Sequence, residues 1–166
     1  HKHGAKIHLE TRVSHLNQHI DGRIEINGEV FDAVILSVAP YHVDALLPKD
    51  TPDYIQTAYQ SLHYHAITTV YLRYAQAVKL PAPLTGFANG TAQWVLHRGA
   101  LGLPDNEVAV VISVSDCTEA WKDKDLAEKV HADIKRVCPD LDKPEAVRII
   151  TEKRATTAAT VDFVQP

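Results

Sequence analysis

Ala33-Val34-Ile35-Leu36-Ser37-Val38 runs apolar with no polar alternation, and Ala39-Pro40 closes it. Successive side chains of a strand point to opposite faces, so a run that is apolar in both registers expects cover on both sides. That is typical of a strand in a parallel sheet flanked by helices. The segment therefore reads as a buried strand, and Pro40 ends it because proline has no ladder N–H to give.

Upstream the pattern is lighter. Ala5 to Leu9 alternates, and Thr11 to Leu16 centres on Val13, so both read as strands. Asp21-Gly22 and Asn27-Gly28 each place residues that tolerate positive φ between β-type flanks, a hairpin signal. Residues 5 to 38 thus read as a small β-meander leading into the buried strand.

Downstream the composition changes to mixed helix and strand. Tyr41 to Leu47 is a short helix candidate between Pro40 and Pro48. Thr51-Pro52 reads as a capping hydroxyl followed by a first-position proline, opening a helix to about Leu62. Ala66 to Tyr74, Gln93 to Leu96, Val108 to Val114 and Val147 to Thr151 read as strands, with Leu80-Pro81-Ala82-Pro83-Leu84 as a stiff connector. A helix is expected from Asp125, with Glu128 completing a capping box, Leu126, Val130, Ile134 and Val137 on one face, and Pro139 as its stop. The fold class expected is α+β, a mixed β-sheet with helices on one side plus the meander.

Composition bounds the function. Of 166 residues, 45% are hydrophobic and 23% charged, which suits one globular domain with a real core. Net charge is −4 and no Lys/Arg block stands out, so a nucleic-acid partner is not expected. No apolar run approaches the roughly 20 residues of a bilayer span, and no signal peptide is present. A cytoplasmic location is expected, with peripheral membrane association as the alternative. The two cysteines, Cys117 and Cys138, lack a CxxC spacing and read as reduced thiols, a disulfide between them being the lesser alternative. There is no Met, and the chain opens on His1-Lys2-His3, so an internal piece of a longer protein is the expectation.

Chemical motifs are sparse. The sequence holds no GxGxxG phosphate loop, no GxSxG, no HExxH and no cysteine-rich zinc pattern. Ten histidines are scattered along it; His63 and His65 share one face of a strand, but surface and loop roles are the plainer reading, and no metal site is expected. Asp116, Glu119, Asp123 and Asp125 lack the alternation and turn glycine of a cation loop and read as a solvated helix approach. Glu152-Lys153-Arg154 reads as a strand end, with anion binding as the alternative. Tyr71, Tyr74, Phe87, Trp94 and Trp121 read as core or as pocket lining.

Three stretches together resemble a known superfamily. Thr11-Arg12-Val13 with the meander and Asp32 to Pro40 resembles the middle of flavin-containing amine oxidases and phytoene-desaturase-type enzymes. Thr69 to Tyr74 with Leu80 to Leu84, and Gln93-Trp94-Val95 with Arg98-Gly99 and Glu152 to Thr156, look like its squalene-associated branch, the hydroxysqualene dehydroxylases. The resemblance runs from about Gly4 to Thr160. It implies FAD in the parent protein, with the backbone of Val13 against adenine, and a polyprenyl substrate lined by Tyr71 and Trp94. It requires no general acid or base in this stretch and leaves the catalytic residues unknown. It assigns residues 1–40 to strands of an FAD domain, 41–160 to a substrate domain and 161–166 to a return toward the FAD domain. The family's glycine-rich fingerprint and C-terminal Gly-Asp segment are missing, so no FAD bound by this chain alone is expected, and self-association through exposed sheet faces is. A stand-alone binding or oligomerisation module, or a piece of a carotenoid desaturase or amine oxidase, are the alternatives.

Overall fold

The computed structural model describes residues 4–115 and 121–161. The chain forms two compact units, His1–Leu62 with Thr160–Pro166, and His63–Ala159.

In the first unit the meander forms where the turn residues place it. Strands β1 (Asn17–Gln18), β2 (Ile24–Ile26) and β3 (Glu29–Phe31) pair antiparallel in that order. Ile26 faces Glu29, leaving Asn27 and Gly28 as a two-residue loop with φ of 50° and 86°. Positive φ at both positions is the mirror-image turn that matches strand twist. At the other turn the Asp21 carboxylate accepts from the Arg23 backbone N–H at 3.1 Å and from its Nε at 2.8 Å. These bonds hold Asp21 below the ordinary carboxylate range.

The helices here are shorter than the sequence pattern predicts. Helix α1 covers Pro40–Val43 rather than 41–47, and α2 covers Asp53–Gln60. Thr51 does not cap α2: Pro52 holds the cap position and no side chain bonds the first turn. The Leu16 N–H donates to the Leu46 carbonyl at 3.0 Å, and Leu16, Val43 and Leu62 are this unit's buried apolar side chains.

Three expected strands have no ladder. Residues 5–9, 11–16 and 33–38 carry no sheet pairing among the described residues, so the buried strand at 33–38 is corrected. A strand persists only where a neighbouring backbone takes its N–H and C=O groups. Among the described residues no strand pairs with these segments, the bond of Leu16 to Leu46 apart, and Ile35 is 93% exposed instead of covered on two faces.

The second unit is the larger. Strands β4 (Tyr64–Arg73), β5 (Leu84–Gly86), β6 (Trp94–His97), β7 (Glu107–Ser113) and β8 (Ala146–Thr157) form one sheet ordered β5-β6-β7-β4-β8. Every ladder in it is antiparallel. The α+β class is as expected. β5 is an addition, since Pro81 and Pro83 mask the strand that starts at Leu84. Helix α3 spans Asp123–Lys135, two residues earlier than the capping-box reading, with Lys122 at the cap position and no side-chain cap. Asp123 and Asp125 instead lie in its first turn, where negative charge suits the positive end of the helix dipole.

Alternation along β4 decides which face α3 covers. Ala66, Thr68, Val70 and Leu72 are buried, and the residues between them are not. Val70, Leu72, Val95, Val108, Val110 and Ile112 pack with Leu126, Val130 and Ile134 of α3 in one core. Val137, expected on the same helix face, lies beyond the helix end and is partly exposed. The buried Thr68 hydroxyl donates to Ser115 Oγ at 2.9 Å and lies 2.8 Å from Thr151 Oγ1, so its polar group is satisfied inside the core.

Tyr74 ends this core. Its ring is fully buried and its hydroxyl lies 3.2 Å from Nδ1 of His131 on α3. Burial pushes the Tyr74 phenol well above its ordinary range. Burial, then the positive charges of Lys135 and Lys143, hold His131 below its ordinary value of 6.5. No helix among the described residues is long and apolar enough to cross a membrane.

Ile134→Ala empties a buried site and should cost about 2–5 kcal/mol of unfolding free energy. Ile35→Ala, on an unladdered segment, should change it by less than about 0.5 kcal/mol. Urea denaturation of both variants checks the contrast. For His131 the sign follows from its lowered value. The folded state binds the proton less readily than the unfolded state, so stability is lost as pH falls through 6.5 toward the folded value. His131→Gln should flatten that part of the stability–pH curve, measured by denaturation between about pH 5 and 8, a window spanning roughly one and a half units either side of the ordinary histidine value.

Candidate substrate-facing site

The sheet has a second face, opposite α3, and register decides who stands on it. Tyr71 faces Ala109 and Arg148, Thr69 faces Val111 and Ile150, and Arg73 faces Glu107. Val111 faces Trp94, Ala109 faces Leu96, and these face Gly86 and Leu84 in turn. Because parity is kept across each ladder, all these side chains share the helix-free face. Tyr71 and Trp94, which the sequence reading singled out together, are thus brought onto one surface, roughly 12 Å apart by strand spacing.

This face is apolar toward one end. Trp94 is 48% exposed, Leu84 52% and Ile150 44%, with Leu96 and Val111 half-buried beside them. An apolar surface of this kind marks a contact or ligand surface more often than bare solvent does. Trp94 lies flat over β5, and a Cβ on Gly86 would sit 3.1 Å from its ring. Glycine at 86 is therefore what lets the indole rest on the strand. Just before it, Gln93 extends the β6–β7 ladder with its side chain. Its Nε2 donates to the Ser113 carbonyl at 3.0 Å and its Oε1 accepts from the Ser113 N–H at 2.9 Å.

The other end is charged. Arg98 follows β6 in a 3-10 turn, Arg98–Leu101, and places its guanidinium 5.4 Å from the Tyr71 ring centroid. It also pairs with Glu107 at 2.8 Å, both side chains being mostly buried. Arg73 and Arg148 flank Tyr71, and among the described residues neither has an ion-pair partner. These groups surround a cavity of 520 Å³. Sequence reading had no role for Arg98 or Glu107. They lie nine positions apart with no motif between them, and only the sheet register joins them. Glu152 to Thr156, part of the squalene-branch pattern, sits at an irregularity in β8 between the pairs Ile67–Glu152 and His65–Thr156. Arg154 N–H there bonds the Glu152 carboxylate at 3.1 Å.

Other expectations fall elsewhere. A second cavity, 700 Å³, lies between α3 and β8 beside His131, Lys143 and Val147. Tyr74, Phe87 and Trp121 belong to the core on the α3 side. Cys138 is a free thiol whose Sγ donates to the Lys79 carbonyl at 3.1 Å, and burial pushes it upward. Cys117, Asp116 and Glu119 lie outside the described residues. Among the described residues no three His, Cys, Asp or Glu side chains gather as metal ligands would.

Val13 belongs to the first unit and is half-buried in extended chain. No hydrogen bond among the described residues takes its N–H or C=O, while Asn27 Nδ2 holds the neighbouring Arg12 carbonyl at 3.1 Å. No glycine-rich turn that could cradle a pyrophosphate accompanies Val13 in the sequence.

Comparisons with known proteins bear on the family and the fold. The chain is 29% identical over 133 residues to a hydroxysqualene dehydroxylase of Zymomonas mobilis, covering 79% of this chain and 28% of that protein. It is 31% identical over 130 residues to a hydroxysqualene dehydroxylase of Rhodopseudomonas palustris, covering 78% and 27%. The chain thus spans little more than a quarter of these relatives. Among solved structures, a putative protoporphyrinogen oxidase from Exiguobacterium sp. 255-15 superposes with a TM-score of 0.58 at 19% identity, over 90% of this chain and 36% of that one. Putrescine oxidase bound to putrescine superposes with a TM-score of 0.60 at 15% identity, over 82% and 33%. These two share the fold. The model of the flavin containing amine oxidoreductases matches residues 1–153, nearly the whole chain, which therefore belongs to that family.

Proposed function

We propose that this chain is part of an FAD-dependent oxidoreductase acting on a polyprenyl lipid of the hydroxysqualene type, and that it supplies the substrate wall. The observation that carries this reading is the helix-free face, where Trp94, Leu84, Leu96, Val111 and Ile150 present one apolar surface in register with Tyr71. The two relatives, both hydroxysqualene dehydroxylases, support the substrate class. In this reading residues 41–160 belong to the substrate domain and 1–40 to strands of the FAD domain. The unpaired segments 5–9 and 33–38 would find their ladders there.

The flavin, when bound, supplies the redox chemistry of the family. This chain's own residues bind and orient. Each Å² of an isoprenoid tail laid on the apolar face contributes about 25 cal/mol, and the tail displaces water from Trp94 and Ile150. The work of the apolar face in this reading is positioning. Val13 would hold the adenine edge through its backbone. The isolated chain, lacking a phosphate-binding turn, is expected to purify without flavin, and its open face and the free edge of β8 favour self-association.

In the full-length protein, Trp94→Ala should raise KM for hydroxysqualene by about 10-fold, the loss of one large apolar contact of about 1.5 kcal/mol, with flavin content unchanged. An unaltered KM would remove Trp94 from the substrate wall. Val13→Pro deletes the N–H and should lower bound flavin, read from absorbance of the purified full-length protein, while leaving KM of the flavin-loaded fraction unchanged.

A further inference from the structure

The charged end of the helix-free face is not explained by an apolar substrate. Three guanidiniums, Arg73, Arg98 and Arg148, line one 520 Å³ cavity against a single carboxylate, Glu107. Glu107 is already taken by Arg98 at 2.8 Å. Arg148 stands directly across from Tyr71, and Arg73 two residues along β4 on the same face, so the two are diagonal neighbours. Diagonal cross-strand side chains approach within about 7–8 Å, and like charges so placed repel. Arg73 stands across from Glu107 of β7, but among the described residues neither Arg73 nor Arg148 forms an ion pair within 4 Å.

We infer that Arg73, Arg98 and Arg148 form an anion site that takes the phosphate head of an apolar-tailed phosphate ester. Guanidinium forks match phosphate oxygens bidentately, and two of the three here are uncommitted. Arg98 is pre-set by its stack on Tyr71 and its bond to Glu107, so little freedom is lost when an oxygen arrives. The tail has a path as well. Ile150 lies in the cavity wall, and from it Thr69, Val111 and Trp94 lead in register across the sheet. Head and tail are thus both accommodated on one surface, which a free inorganic anion would not require. All of these residues lie in the second compact unit, so the site does not depend on the flavin reading.

The test is calorimetric titration of the 166-residue chain with octyl phosphate, inorganic phosphate and octanol. Octyl phosphate should bind at least about 10-fold more tightly than either of the others, each lacking one half of the recognition. Arg73→Ala and Arg148→Ala, both at exposed positions without partners, should each weaken octyl phosphate by about 10-fold or more, the worth of one charge-assisted bond. Arg148→Lys should fall between, keeping the charge and losing the fork. Circular dichroism of each variant confirms its folding. No measurable binding of octyl phosphate, or binding unchanged in the Arg73→Ala/Arg148→Ala double variant, would overturn the proposal. Equal affinity for inorganic phosphate would make it a free-phosphate site, and equal affinity for octanol would reduce it to the apolar face; either result also overturns it.

Discussion

Strand β4 is the constraint on which the larger unit depends. It lies between β7 and β8 and sends alternate side chains to two different environments. Val70 and Leu72 go under α3, and Thr69 and Tyr71 go to the open face. A slip of one residue would exchange these sets, exposing the core and burying the threonine and tyrosine. The Thr68 hydroxyl opposes that slip. It is buried and satisfied only by Ser115 and Thr151, partners it would lose in any other register. One polar side chain thus holds in place the packing of Ile134 on one side and the alignment of Tyr71 with Arg148 on the other.

The two faces differ in what they lack. The α3 face is closed by its own helix, with Val70, Val95, Val110, Val130 and Ile134 fully buried. The opposite face holds large apolar side chains with no helix of this unit over them among the described residues. In the first unit the same deficit appears in the backbone, since segments 5–9 and 33–38 are extended with no ladder among the described residues. Exposed apolar side chains and unladdered extended chain share one cause in physical terms. Each lacks a neighbour within the described residues; the apolar side chains are costly to leave in water, and the backbone groups there are left to water.

Features governed by local chemistry were legible in the sequence, and those governed by partners were not. Asn27-Gly28 announced its turn because few residues other than asparagine and glycine tolerate two successive positive φ values. Tyr64–Arg73 and Glu107–Ser113 were readable because β-branched runs bounded by loops have little alternative. The 33–38 run misled for the opposite reason. Its apolar pattern records burial against something, but pattern alone does not say where that something lies. Tyr71 and Trp94 were found through family resemblance, and the register then placed them on one face. Arg98 stood in the family pattern without a role and Glu107 carried no signal, since their pairing arises from a 3-10 turn and a strand end meeting across β6 and β7.

That pairing changes what the open face can be asked to do. An apolar wall alone gives a long flexible tail affinity but no fixed position, because apolar contact is nearly indifferent to sliding along the face. A charged terminus removes that freedom. Arg98, stacked on Tyr71 and bonded to Glu107, is immobile in a way that the exposed Arg73 and Arg148 are not. With Tyr71 it therefore fixes an origin from which distance along the face is measured, Tyr71 lying roughly 12 Å from Trp94 by strand spacing. A ligand with one polar end would be registered against that origin, and the carbon it presents beyond Trp94 would be set by chain length. Positioning of this kind needs no titrating group on the face and leaves the bond-breaking chemistry to whatever faces it.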